Sequence, residues 1–239
     1  MKLRGSWRAL RRIESRALLL VIGLSGALWA FFKVASEVGE GETHALDRAV
    51  LLALRNPADF SDPIGPRPFE EAMRDVTALG GFTIITMVTV VGGLLFIIHR
   101  RLRQAFVFVS TVLLAELSSD LAKAFYGRPR PELVTHGSYV YTASFPSGHS
   151  TLSAATYLTL AMLIAGQEGA RRSRILVFLL ATLLVLAIGT SRVYLGVHWP
   201  TDVLAGWCLG GTWALAAWLA TRRLAPAEAQ RPDSAQGAD

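Results

Sequence analysis

The sequence predicts an all-α fold: a polytopic membrane protein of six transmembrane helices, bundled around a site at the outer membrane face. Three observations carry that prediction. Charged residues make up 18% of the 239-residue chain and hydrophobic residues 52%, with a mean hydropathy of +0.40; a soluble domain is about a quarter charged. Six apolar runs, near 17–37, 77–98, 105–125, 150–167, 174–193 and 201–221, approach the ~20 helical residues that cross a hydrocarbon core of about 30 Å. The third observation is where the charge falls. Arginines and one lysine crowd the N-terminus, the second connection (Arg100, Arg101, Arg103), the fourth (Arg171, Arg172, Arg174) and the start of the tail (Arg222, Arg223). Basic connections stay in the cytoplasm, and six crossings with both termini inside put all four clusters on that side. The net charge of +6 is therefore topological and gives no reason to expect a nucleic-acid partner.

Residues 1–16 read as a basic cytoplasmic N-terminus. The first apolar run is followed by no small-residue cleavage site and continues through Trp29, Phe31 and Phe32, which favours a retained anchor over a signal peptide. Residues 38–76 form the longest connection, acidic and outside, with an amphipathic patch at Ala45 to Leu54 and a Pro/Gly-rich turn, 61-SDPIGPRP-68. One or two short surface helices are expected there. The second and third runs are plain apolar helices, except that Glu116 and Asp120 lie inside the third, where a lone charge costs a few kcal/mol. Asp120 precedes Lys123 by three residues, a spacing that lets them pair. The sixth run carries Gly206-x-x-x-Gly210, a close helix-packing face, with the single cysteine, Cys208, as a small packing residue. Residues 222–239 form an Ala/Pro/polar tail with the composition of disorder.

Three segments, covering four outward-facing helix ends, carry the chemistry. The third helix exits through 123-KAFYGRPRP-131, a rigid cationic segment that violates the inward bias of basic residues and so asks for an anion outside. At 146-PSGH-149, Ser147 is placed to cap the fourth helix and Gly148 permits close approach to the main chain. Free amides at such a helix start bind phosphate, with His149 beside the anion. In 191-SRVYLGVHWPTD-202, Pro200 suits a first helical turn and Asp202 falls four residues after His198. That pair reads either as a cap or as a carboxylate fixing an imidazole tautomer. Taken one by one, each segment has an ordinary structural reading. Together they bring two histidines, a carboxylate and several cations to one face, the composition of a phosphoryl-transfer site.

These motifs resemble those of the type 2 phosphatidic-acid phosphatase superfamily, integral-membrane lipid phosphatases related to vanadium haloperoxidases. Lys123 with Arg130-Pro131, Pro146-Ser147-Gly148-His149, and Ser191-Arg192 with His198 and Asp202 match its three motifs in order. The resemblance spans 17–221 and implies a six-helix phosphatase domain. It further implies that His198 attacks phosphorus to give a phosphohistidine, that Asp202 orients His198, and that His149 protonates the leaving oxygen. Lys123, Arg130, Ser147, Gly148 and Arg192 would hold the phosphoryl oxygens. No metal and no cofactor are expected. The expected partners are a lipid phosphate and the surrounding membrane lipids, with no obligate protein partner, and the expected location is the inner (plasma) membrane with the site facing the periplasm. Candidate substrates are a polyprenyl diphosphate, phosphatidate, phosphatidylglycerol phosphate or a phosphorylated glycolipid of the lipid A type. The alternatives are a non-enzymatic lipid-binding or transport protein on this scaffold, and haloperoxidase chemistry, which the six crossings disfavour. Three accessory residues are expected: Arg128 at a headgroup, a second phosphate or the rim, Asp120 beside Lys123, and His136 near substrate. Tyr139, Tyr141, Phe145 and Trp199 are expected in an interfacial aromatic belt.

Overall fold

The computed structural model describes residues 3–132 and 142–223, with side chains from residue 18 onward. Eight helices follow in order: α1 (Leu3–Glu40), α2 (His44–Ala53), α3 (Arg67–Ala78), α4 (Phe82–Ile98), α5 (Leu102–Tyr126), α6 (Gly148–Ala165), α7 (Arg171–Tyr194) and α8 (Pro200–Arg223). Between α2 and α3 lies a small antiparallel hairpin, β1 (Arg55–Asn56) and β2 (Asp59–Pro63). The long connection thus holds the two short helices expected of it, plus a hairpin whose five-residue second strand carries no alternating apolar pattern to announce it.

Among the described residues, four helical stretches are long and apolar enough to cross a membrane: Leu18–Glu40, Leu102–Tyr126, Arg171–Tyr194 and Pro200–Thr221. A fifth is formed if α3 and α4, bent by 47° at their junction, count as one span. Large apolar side chains on α4, α5 and α7, among them Phe82, Val90, Leu94, Leu117, Leu121, Phe125, Leu179 and Leu183, point outward. That is the surface a lipid-facing bundle needs.

The fourth predicted run, α6, is not among these stretches, for a physical reason. Its Ser150, Thr151, Ser153, Thr156 and Thr159 are buried, enclosed by α5, α7 and α8. Walled by protein instead of lipid, this central helix does not need a uniformly apolar surface. Its closest neighbour is α8, and the expected glycine face makes the contact. A Cβ on Gly206 would lie 2.8 Å from the Ser147 carbonyl oxygen, and one on Gly210 would lie 2.2 Å from that of Thr151. Cys208 is half-buried beside this interface, packed with Phe31, Ala35 and Phe145.

The aromatic belt is corrected at one position. Phe145 is fully buried, its ring 6.1 Å from that of Phe31 and 5.0 Å from that of Tyr126. It anchors the segment before α6 to α1 and α5, out of reach of an interface. Tyr139 and Tyr141 lie outside the described residues.

Candidate active site

Helix α5 ends where Gly127 adopts a left-handed conformation (φ 55°) and returns its amide to the Lys123 carbonyl at 3.0 Å. This stop turns the following Arg-Pro-Arg-Pro segment across the end of the bundle. Helix α6 starts at the Ser147 cap, whose hydroxyl oxygen accepts from the Ser150 amide at 3.4 Å. The Ser147 amide itself donates to the Asp202 carbonyl at 3.0 Å, tying the α6 start to the first turn of α8. Fully buried and used in these bonds, Ser147 fixes the turn that leads into α6 and does not itself line the cavity.

Lys123, Arg130, Gly148, His149, Arg192 and His198 line one cavity of about 440 Å³, together with Glu116 and Asp120. Five separate chain segments supply them, so the fold gathers these six residues in one place, while Ser147 and Asp202 of the expected set are buried and do not line the cavity. Arg130 is fixed by main-chain carbonyls: its Nε donates to Thr142 O at 2.8 Å and its Nη1 to Val197 O at 2.8 Å. The same Nη1 lies 3.1 Å from His198 Nε2. Arg192 is buried; its Nη1 donates to Thr77 Oγ1 at 3.1 Å, and its Nε has no hydrogen-bond partner among the described residues. A buried, unmatched guanidinium N–H beside a cavity is placed to receive an anion's oxygen. Lys123 pairs with Asp120 at 3.2 Å, the partnership its spacing suggested, and its Nζ would stand 3.0 Å from a Cβ on Gly148.

His198 is buried in the turn before α8. Its Nδ1 faces Asp202 Oδ2 at 3.4 Å, long for a hydrogen bond, because Oδ2 also accepts from Ser144 Oγ and, at 2.9 Å, from the Trp199 amide. Placing the proton on Nδ1 leaves the Nε2 lone pair towards Arg130 and the cavity. Burial is the main force that lowers the His198 pKa from 6.5 to about 4, with Arg192 and Arg130 pushing the same way and Asp202 opposing them. The imidazole is therefore neutral at physiological pH and can attack an electrophile through Nε2, with a histidine of α6 across the same cavity.

Arg128 departs from expectation. It reaches neither a rim nor a second anion site: it is buried between two carboxylates, Asp202 Oδ1 at 2.6 Å and Asp47 Oδ2 at 2.7 Å. A guanidinium within that reach of two buried acids is held by them and is not available to a headgroup or a second phosphate. Asp47, on α2, escaped the sequence reading because it is one of many acids in a polar connection. Thr77 escaped too, as a threonine in no motif. His136 lies outside the described residues.

A family model described as the PAP2 superfamily matches residues 104–225. Phosphatidylglycerophosphatase B of Bacillus subtilis is 31% identical over 144 residues, 59% of this chain and 69% of that protein. Undecaprenyl-diphosphatase of Sulfolobus acidocaldarius is 29% identical over 125 residues, 50% of this chain and 56% of that protein. In fold, the chain resembles the crystal structure of a transmembrane PAP2-type phosphatidylglycerolphosphate phosphatase from Bacillus subtilis, with a TM-score of 0.73 and 23% identity over 84% of this chain and 96% of that one.

Proposed function

Since the chain belongs to the PAP2 superfamily of phosphatases, we propose that it is a membrane enzyme that removes phosphate from a lipid through a phosphohistidine on His198. The observation that carries this reading is the buried His198, with Asp202 on its Nδ1 side and its Nε2 turned to a cavity lined by Lys123, Arg130 and Arg192. Nε2 attacks phosphorus, and the bond to the lipid oxygen breaks as that oxygen takes a proton from His149. Water, deprotonated by His149, then cleaves the P–N bond, returning His198 and releasing phosphate. Lys123, Arg130, Arg192 and the amides at Gly148 hold the phosphoryl oxygens while charge shifts between them. Ser147 supports this cradle by fixing the α6 start.

The reading places phosphatidylglycerol phosphate first among substrates, on the likeness to phosphatidylglycerophosphatase B. A polyprenyl diphosphate follows, then phosphatidate and phosphorylated glycolipids. It takes 17–221 as the phosphatase unit, with six crossings, both ends cytoplasmic and the site facing the periplasm. The basic clusters on the connections opposite the site support that orientation. The test is phosphate release by purified protein in detergent with excess chelator, over this lipid panel, beside His198→Ala. Release abolished in the variant supports the histidine route; undiminished release by His198→Ala rules it out.

A further inference from the structure

The cavity at His198 is lined by three cations, against two acids of α5, Glu116 and Asp120. Lys123 comes from α5, Arg130 from the segment after it and Arg192 from α7, with His149 of α6 facing the same space. Asp202 is the only carboxylate within ion-pair distance of the imidazole among the described residues. It must stabilise the cationic imidazole that forms when Nε2 bonds to phosphorus and Nδ1 keeps its proton. Yet Asp202 already has a guanidinium at 2.6 Å, and an isolated Asp202–Arg128 pair would be close to neutral as seen from His198.

Asp47 changes that balance. Its Oδ2 takes the other arm of the same guanidinium at 2.7 Å, and both acids are fully buried. The cluster of two carboxylates and one guanidinium thus keeps one negative charge, positioned next to the imidazole. Asp47 Oδ1 also accepts from the Thr201 amide at 3.0 Å and Oδ2 from Thr201 Oγ1 at 2.7 Å, while Arg128 donates to Thr43 Oγ1 and Thr201 Oγ1. These bonds hold the triad on the first turn of α8. We propose that Asp47 is a positioning residue for catalysis: by sharing Arg128 with Asp202, it leaves Asp202 the negative charge that stabilises the phosphorylated His198. Buried charge pairs interact strongly enough for one partner to set another's state. The inference rests on His198 being the nucleophile.

Asp47→Asn tests it, because the amide oxygen can still accept from Thr201 while the charge is lost. Expected are a kcat about tenfold lower and an acid limb of kcat/KM about one pH unit lower, since a less stabilised imidazolium titrates at lower pH. Arg128→Gln shifts the charge the other way and should move the limb to higher pH. The double variant Asp47→Asn/Arg128→Gln restores one net negative charge and should recover most of the lost kcat. Wild-type kcat and pH profile in Asp47→Asn, or a double variant no better than that single one, would reduce Asp47 to a helix cap and overturn the proposal. If Asp47→Asn does not fold, the direction of the Arg128→Gln shift decides. His198→Ala runs alongside: activity surviving in it would remove the nucleophile reading itself, a result distinct from failure of the Asp47 series.

Discussion

In the proposed mechanism His198 attacks phosphorus only while Nε2 carries a lone pair, and its surroundings favour that form. With its pKa lowered to about 4 by burial, the neutral imidazole persists well below the pH at which a free histidine charges. The acid limb of kcat/KM, corrected for the substrate's own ionisation, should fall near pH 4 and not near 6.5. A limb at 6.5 would show that the free enzyme does not hold His198 neutral. Stability carries the same sign: between about 6.5 and 4 the unfolded chain binds a proton that the folded site refuses, so the shift destabilises the fold as pH falls. Asp120, 65% exposed and paired with Lys123, acts at this scale too. Asp120→Asn frees Lys123 for the phosphate and removes a repulsive carboxylate. KM should fall by up to about fivefold, the range of an exposed ion pair; an unchanged KM would mean that Lys123 reaches phosphate regardless of its partner.

Helices α6 and α8 carry the two histidines' supports, so their contact sets the site's geometry. Adjacent glycines on α8 separate packing from propensity. Gly210 faces the Thr151 carbonyl so closely that a Cβ would overlap it, while Gly211 has nothing within 4 Å. Gly210→Ala should cost about 1–3 kcal/mol as α8 is pushed off α6, with activity falling further as Ser147 and Asp202 part. Gly211→Ala should be neutral or stabilising by up to about 1 kcal/mol. Thermal unfolding in detergent compares them directly, and equal effects would rule out the glycine contact as the determinant. At the same scale, α6 shows how a central helix can be polar: packed against α5, α7 and α8, its Ser and Thr side chains are buried in protein.

For the whole molecule, the proposed orientation in the bilayer rests on where charge sits. Ala58 lies in the hairpin connection at the site end and Glu168 in the α6–α7 connection at the other, both exposed. In a Cys208→Ser background, an impermeant thiol reagent should label Ala58→Cys in intact cells and Glu168→Cys only after permeabilisation. The reverse pattern would turn the active site to the cytoplasm. The second whole-molecule prediction concerns metal: with cations of the chain itself around the phosphoryl oxygens, full activity is expected in excess chelator. Complete loss restored by magnesium would refute it.

The sequence by itself determined what local pattern and spacing can carry. Apolar runs and basic connections predict the membrane class, Gly206-x-x-x-Gly210 predicts a close helix-packing face without saying which helix fills it, and motif spacing groups Lys123, Arg130, His149, Arg192 and His198, which line one cavity. Each of those residues sits at a helix end or in a short turn, where the chain's direction leaves few choices. Tertiary structure alone decided the fate of Arg128, the placement of Asp47 beside it, the burial of Phe145 and the support of Arg192 by Thr77. The partners of Arg128 stand 81 and 74 residues away in the chain. A loop arginine has no local preference between a lipid headgroup and a buried carboxylate. That choice is made by which helices pack beside it.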